Sequence, residues 1–195
     1  MARKDVPAAR PYHAVQFYGS DDRLFCAVGR FLAEGLIEGQ PAVVIAGPAH
    51  RAGILHQLSA RLIDVDRARR DGDLLLLDSE EMLDLFMANG APDSVAFESN
   101  IGRFIRQMLQ GREGAGLRAY GDMVNLLWQR SQPDAAIQLE LLWNKLAQRF
   151  GISLLCGYAM GHFCNQTSEL HAICEHHSHI FGPEHASTFA KPTAH

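Results

Sequence analysis

Leu117-Arg-Ala-Tyr-Gly-Asp-Met-Val124 is the stretch from which the fold of this 195-residue chain is read. Its apolar run breaks at Gly121 and sets Asp122 just beyond, the pattern of a buried strand that presents an acid at its carboxyl end. A long helix is predicted over 133–149, and it carries Glu140 and Asn144 at i and i+4, so both side chains leave one face. In an open α/β sheet, ligands bind beyond the carboxyl ends of the strands. Asp122 beside Glu140 and Asn144 is therefore a candidate site. The competing reading is that Asp122 caps the following helix and Glu140 forms a surface pair.

Outward from this stretch, strands alternate with amphipathic helices. His13-Ala-Val-Gln-Phe-Tyr18 reads as a first strand, and Gly19-Ser20 turns the chain into a helix over about 22–37, with Ser20 or Asp21 as its cap. Ala42-Val-Val-Ile-Ala46 is a continuous apolar run between Pro41 and Gly47, as expected of a strand covered on both faces. A second helix is predicted near 49–63. Asp73-Leu-Leu-Leu-Leu-Asp78 reads as a third strand, followed by a short helix capped by Ser79 to about Ala88 and a turn at Asn89-Gly-Ala-Pro92. A helix from Asp93 or Ser94 to about Gln110 comes next. Gly151 ends the 133–149 helix, Ile152-Ser-Leu-Leu-Cys-Gly-Tyr158 is the last strand, and a helix over about 165–177 follows. This βα alternation predicts an α/β fold: a mainly parallel sheet of five or more strands with helices on both faces. Residues 1–11 read as a flexible arm, 12–181 as one domain and 182–195 as a flexible tail.

Composition excludes several classes. A net charge of −4 leaves no electrostatic footprint for nucleic acid, and the basic residues Arg67, Arg69 and Arg70 are too few to make one. No apolar run reaches the roughly 20 residues needed to cross a bilayer, and residues 1–11 lack the core of a signal peptide. Cys26, Cys156, Cys164 and Cys174 are irregularly spaced, as free thiols in a reducing, cytoplasmic compartment would be. There is no GxxxxGK[ST], no GxGxxG after a strand and no GxSxG elbow. The first turn, Tyr18-Gly-Ser-Asp-Asp22, would place two acids where a phosphate needs backbone N–H groups and a lysine. Without a nucleophile motif, no enzymatic turnover is expected.

Seven of the ten histidines lie after residue 160. In His171-Ala-Ile-Cys-Glu-His-His-Ser-His179, neutral imidazoles and a thiol stand close in sequence, and both are good ligands for a transition metal. His13, Cys174, His177 and His179 are the candidate ligands, although the spacing matches no standard zinc finger. Alternatively the cluster caps a helix end and Cys174 is core.

Several of these segments together resemble a known sensory family, the MEDS domain (methanogens, methylotrophs and the dichloromethane-responsive regulator). They are His13-Ala-Val-Gln-Phe-Tyr18, Gly35-Leu-Ile-Glu-Gly39, Pro41-Ala-Val-Val-Ile45, Leu117–Val124 with Leu127-Trp128, Leu139-Glu-Leu-Leu-Trp-Asn144, Ser153-Leu-Leu-Cys-Gly-Tyr158 and Ile173-Cys-Glu-His-His-Ser-His-Ile180. The similarity spans about 12–181. It implies a RecA/KaiC-like fold without a phosphate loop, and a regulatory role in which a small ligand such as a hydrocarbon derivative is detected. The family pattern has glutamate after the glycine of the central strand, where this chain has the shorter Asp122.

The resulting expectation is a non-enzymatic, stand-alone cytosolic sensor. Asp122, Glu140 and Asn144 would contact the ligand, with Tyr18, Trp143 and Tyr158 as walls. A histidine kinase or transcription regulator would be the partner, and homo-oligomerisation is compatible with this; no direct nucleic-acid or membrane contact is expected. A metal or redox sensor built on the Cys/His cluster and a degenerate nucleotide-binding module are the alternatives.

Overall fold

A computed structural model describes residues 11–112, 114–162, 171 and 173–182. The proposed arm and tail, apart from residues 11 and 182, and most of the helix expected over 165–177 fall outside the described residues. In chain order the elements are β1 (His13–Tyr18), α1 (Asp21–Ile37), β2 (Ala42–Ile45), α2 (Pro48–Ala60), α3 (Val65–Arg70), β3 (Leu74–Leu77), α4 (Ser79–Asp84), β4 (Met87–Ala88), β5 (Ala91–Pro92), α5 (Ser94–Leu109), β6 (Leu117–Gly121), α6 (Met123–Gln129), α7 (Pro133–Phe150), β7 (Ile152–Ala159) and β8 (His179–Phe181). A 3-10 turn, Met160–His162, follows β7, and residues 171 and 173–175 are helical.

Six strands form one sheet in the order β3-β2-β6-β7-β1-β8, every neighbouring pair parallel. The expected α/β class and parallel sheet are what the chain adopts. β2 and β6 have no exposed residue, which requires cover on both faces and neighbours on both sides. Helices α1, α2 and α3 cover one face, packing Leu24, Val28, Leu32, Ile54, Leu58 and Ala68 against it. Helices α4 to α7 cover the other with Leu83, Phe97, Ile101, Ile105, Leu127, Leu139, Trp143 and Leu146, and Ile173 of the C-terminal helical residues joins this core.

Successive strand residues point to opposite faces, and that parity decides what meets what. Val15 and Phe17, Val43 and Ile45, Leu117 and Ala119, and Leu154, Cys156 and Tyr158 belong to the α4–α7 side. Ala14 and Tyr18, Ala42 and Val44, Tyr120 and Leu155 belong to the α1–α3 side.

Several boundaries differ from the sequence reading. The stretch expected to remain helical to Ala88 instead leaves α4 at Asp84 and forms a two-stranded hairpin, β4 with β5. Asn89 and Gly90, at φ 52° and 80°, supply the two positive φ values of a tight hairpin turn, and β-strands of two residues leave no periodic trace in sequence. The cap of α4 is Asp78, whose carboxylate accepts the N–H groups of Glu80 and Glu81, rather than Ser79. Helix α3 carries three arginines and only one buried residue, so it has no apolar stripe to read. Strand β8 falls between the expected end of the last helix, near 177, and the tail expected from 182, in residues that sequence assigns to no element. Gly151 ends α7 at φ 67°, a left-handed conformation that glycine adopts without strain.

Candidate functional site

Side chains of chemical interest gather in two places on opposite faces of the sheet. On the α4–α7 side, β1, β7, α7 and the C-terminal segment bring His13, Glu140, Cys156, Tyr158 and His177 together. On the α1–α3 side, the carboxyl ends of β1, β2 and β6 bring Tyr18, His50, Tyr120 and Asp122 together.

The first group is a buried polar centre. Glu140 is wholly buried, and His13, Cys156, Tyr158 and His177 are at most 5% exposed. Glu140 Oε2 lies 3.2 Å from His13 Nε2 and 3.5 Å from His177 Nε2, and it accepts from Cys156 Sγ at 3.4 Å. The other oxygen, Oε1, accepts the Tyr158 hydroxyl at 2.9 Å. His13 Nε2 is 3.2 Å from Cys156 Sγ, and the His13 and His177 rings stand 4.2 Å apart.

Each imidazole is also held from behind. His177 Nδ1 is 2.7 Å from the Ile173 carbonyl. A carbonyl only accepts, so Nδ1 carries the proton. His13 Nδ1 is 2.9 Å from Asn144 Oδ1, and Asn144 Nδ2 donates to the His176 carbonyl at 2.9 Å. That second bond fixes the amide orientation, so Asn144 Oδ1 accepts the Nδ1–H of His13. Both Nε2 atoms are thereby turned to the carboxylate. The i, i+4 placement of Glu140 and Asn144 has a clear purpose, since the two side chains grip the two nitrogens of one ring.

A buried carboxylate needs compensating charge or donors. Burial alone pushes the Glu140 carboxyl up. The charges of His177 and His13 and their hydrogen bonds outweigh burial and hold it well below the usual carboxylate range. Burial, with the Glu140 charge beside them, pushes the Cys156 thiol and the Tyr158 phenol well up, so both are protonated at neutral pH.

At the carboxyl edge, Asp122 stands at the N-cap position of α6 yet makes no side-chain capping bond. Its carboxylate turns towards α2 instead, where Oδ2 accepts from Gly47 N at 3.2 Å and from His50 Nδ1 at 2.8 Å. Asp21 Oδ1 lies 3.7 Å from the other nitrogen of His50. The Phe25 ring meets the His50 ring edge-on at 5.5 Å and Tyr18 does so at 6.2 Å. Asn125 ties this corner to the strands: it donates to the Tyr18 hydroxyl at 3.4 Å and accepts from Ala159 N at 3.0 Å. Among the described residues, two buried polar atoms here have no hydrogen-bond partner, Asp122 Oδ1 and the Tyr120 hydroxyl. Unpaired buried acceptors are uncommon and mark places where a ligand or water belongs.

The residues expected to share one site are thus divided between two. Tyr18 and Asp122 are at the carboxyl edge, whereas Glu140, Asn144 and Tyr158 are in the buried centre. Trp143 is in neither set of contacts; it packs edge-on against Phe97 in the core. The division follows from strand parity, because Asp122 shares the face of Tyr120. Of the proposed metal ligands, His13 and His177 meet. Cys174 is half-buried against the core, and His179 opens β8 with its ring 5.1 Å from that of Tyr12. Their places beside the two histidines are taken by Glu140 and Cys156. Cys156 was legible as core only; its position two residues before Tyr158, on the face that α7 covers, was the available signal. His50 had no signal beyond lying near the start of a helix.

The architecture is that of the KaiC-like α/β proteins. A KaiC-like protein from the hyperthermophilic archaeon Pyrococcus horikoshii superposes with a TM-score of 0.57 over 89% of this chain and 71% of that one, at 12% identity. Residues 12–178 match the model of the MEDS family, the methanogen/methylotroph, DcmR sensory domain, and the chain belongs to that family. No curated protein matches its sequence. Its role is accordingly sensory, and no helix among the described residues is long and apolar enough to cross a membrane.

Proposed function

We propose that this sensory domain acts in the cytosol without catalytic turnover and binds a small hydrocarbon derivative bearing a hydroxyl or amino group beside Asp122. The observation that carries the reading is the buried, unpartnered Oδ1 of Asp122 at the carboxyl edge of the sheet. Gly47 and His50 fix the other oxygen, so Oδ1 is held ready to accept from a ligand. Tyr18 and Tyr120 offer apolar ring surface and hydroxyls beside it. Cys26, Cys156 and Cys174 as free thiols suit a reducing compartment. A ligand that binds one conformation of the α1–α2–α6 corner better than another shifts its population, and a kinase or transcription regulator reads the change.

The test is a thermal-shift and calorimetric screen of short-chain alcohols and alkylamines against the protein and Asp122→Asn. A ligand at a hundred times its Kd stabilises by about 2.7 kcal/mol. The expected result is a concentration-dependent rise in Tm that Asp122→Asn abolishes. Equal shifts in both proteins would place the ligand elsewhere, and no shift with any compound would remove the reading.

A further inference from the structure

The centre on the opposite face carries an inference of its own. We infer that His13 Nε2, Glu140 Oε2, Cys156 Sγ and His177 Nε2 form a four-coordinate site for one divalent transition-metal ion of the zinc class. These four atoms lie within 4.8 Å of one another, and all four residues are buried. The site goes beyond the ligand reading above, since it lies across the sheet from Asp122 and holds its ion whether or not that ligand binds.

Geometry favours an ion here. Donors about 2.0–2.3 Å from a tetrahedral zinc sit roughly 3.3–3.7 Å from one another. Four of the six separations are 3.2 Å for His13 to Glu140, 3.2 Å for His13 to Cys156, 3.4 Å for Cys156 to Glu140 and 3.5 Å for His177 to Glu140, and the two between His177 and the His13 and Cys156 donors are at most 4.8 Å. The Ile173 carbonyl and Asn144 Oδ1 bind the Nδ1–H of each ring. That is the supporting arrangement that fixes the tautomer of a metal-bound histidine and aims its Nε2 lone pair. Without an ion, the charges of His13 and His177 balance the Glu140 carboxylate; a bound cation takes over that role and leaves both rings as neutral donors.

Charge and chemistry agree. Two neutral imidazoles, one carboxylate and one thiolate carry two negative charges, so a divalent ion leaves the buried centre neutral. Imidazole and thiol donors select borderline ions and disfavour magnesium and calcium. On binding, the S–H bond of Cys156 breaks, a metal–sulfur bond forms and the proton passes to solvent. Loading therefore releases at least one proton and strengthens as pH rises. A cleft of about 430 Å³, lined in part by Tyr12, His13, Asn144, His176, His177 and Ser178, borders two of the ligand residues from outside.

The test uses the full chain, stripped with chelator and titrated with cobalt(II) and then zinc. The expected result is one ion per chain, an intense visible spectrum of four-coordinate cobalt with a near-ultraviolet thiolate-to-cobalt band, and its displacement by zinc. Cys156→Ser should lose the thiolate band, and His177→Gln should weaken binding at least tenfold. Cys174→Ala and His179→Ala should bind as the parent does. If Cys156→Ser does not fold, the triple variant Cys26→Ser/Cys164→Ser/Cys174→Ser leaves Cys156 as the sole cysteine and must keep the band. Absence of a cobalt spectrum in the parent, or its loss in the triple variant, overturns the inference. Neither result touches the Asp122 screen, so the two proposals fail separately.

Discussion

Asn144 holds the imidazole of His13 from behind, accepting its Nδ1–H at 2.9 Å while donating to the His176 carbonyl at the same distance. One amide on α7 thereby links β1 to the segment that leads into β8. Asn144→Ala leaves the His13 N–H and the His176 carbonyl without this partner. Leaving a buried polar group unsatisfied costs about 1–3 kcal/mol, so the variant should lose that much in equilibrium urea denaturation. A loss below about 0.5 kcal/mol, the scatter of ordinary surface changes, would show that Asn144 is not a structural link.

The pair of His50 and Asp122 predicts a pH dependence with a definite sign. The hydrogen bond to Asp122 raises the His50 pKa above its ordinary 6.5; burial opposes the rise, and the charges of Asp122 and Asp21 add to it. A raised folded-state pKa contributes stability that is complete below the unfolded value and disappears as pH climbs through the folded one. The parent should therefore lose stability relative to His50→Gln as pH rises from about 6.5, the unperturbed histidine value. Denaturation midpoints of both proteins across that window check it. Parallel curves would mean that the ion pair contributes nothing.

Gly35 lies where α1 crosses β6. A methyl group placed there would stand 2.5 Å from Arg118 Cγ and 3.0 Å from Cδ, the stem of a side chain that is itself buried. Arg118 has little freedom to yield, because its guanidinium donates to the Phe31 carbonyl and Gln40, lies 3.5 Å from Glu34 and Glu38, and stacks 5.1 Å from the Phe31 ring. Overpacking of this kind costs typically about 1–3 kcal/mol, against roughly 0.8–1 kcal/mol that alanine gains over glycine in a helix interior, and the tightly held Arg118 stem puts the cost at the upper part of its range. Gly35→Ala should lower Tm, and an unchanged or higher Tm would show that the α1–β6 contact is looser than described.

ATP and ADP should leave Tm unchanged. Gly19 and Ser20 join β1 to α1, the first turn of α1 carries Asp21 and Asp22, and the segment offers no lysine to a phosphate. A nucleotide-dependent rise in Tm would restore the nucleotide-binding alternative.

Much of the fold was legible because its strands are nearly continuous apolar runs bounded by glycine, proline or aspartate, as in Ala42–Ile45 and Leu117–Gly121. The buried centre was legible only in part. Glu140 with Asn144 follows from helical spacing, and His13 and His177 follow from their chemistry. What sequence could not give was the pairing of β1 beside β7, with Val15 opposite Cys156, which brings His13 to a cysteine 143 positions away. Nor did spacing show that Asp122 and Glu140 would lie on opposite faces, since that depends on which strand parity each helix layer covers. Cys174 and His179 were attractive by proximity in sequence, yet burial and direction favoured Cys156 and Glu140.

Strand β1 lies between β7 and β8, so its partners in the sheet begin at Ile152 and His179. On the ribosome this early apolar strand has no edge to pair with until most of the chain has emerged, at about 5–20 residues per second. During that interval the stretch from His13 to Tyr18 is an open hydrophobic template of the kind that invites misassociation. The same pairings that complete the sheet also bring His13, at the start of β1, to Cys156 on β7 and to His177 just before β8. The buried centre therefore depends on the two pairings that the first strand must wait longest to make.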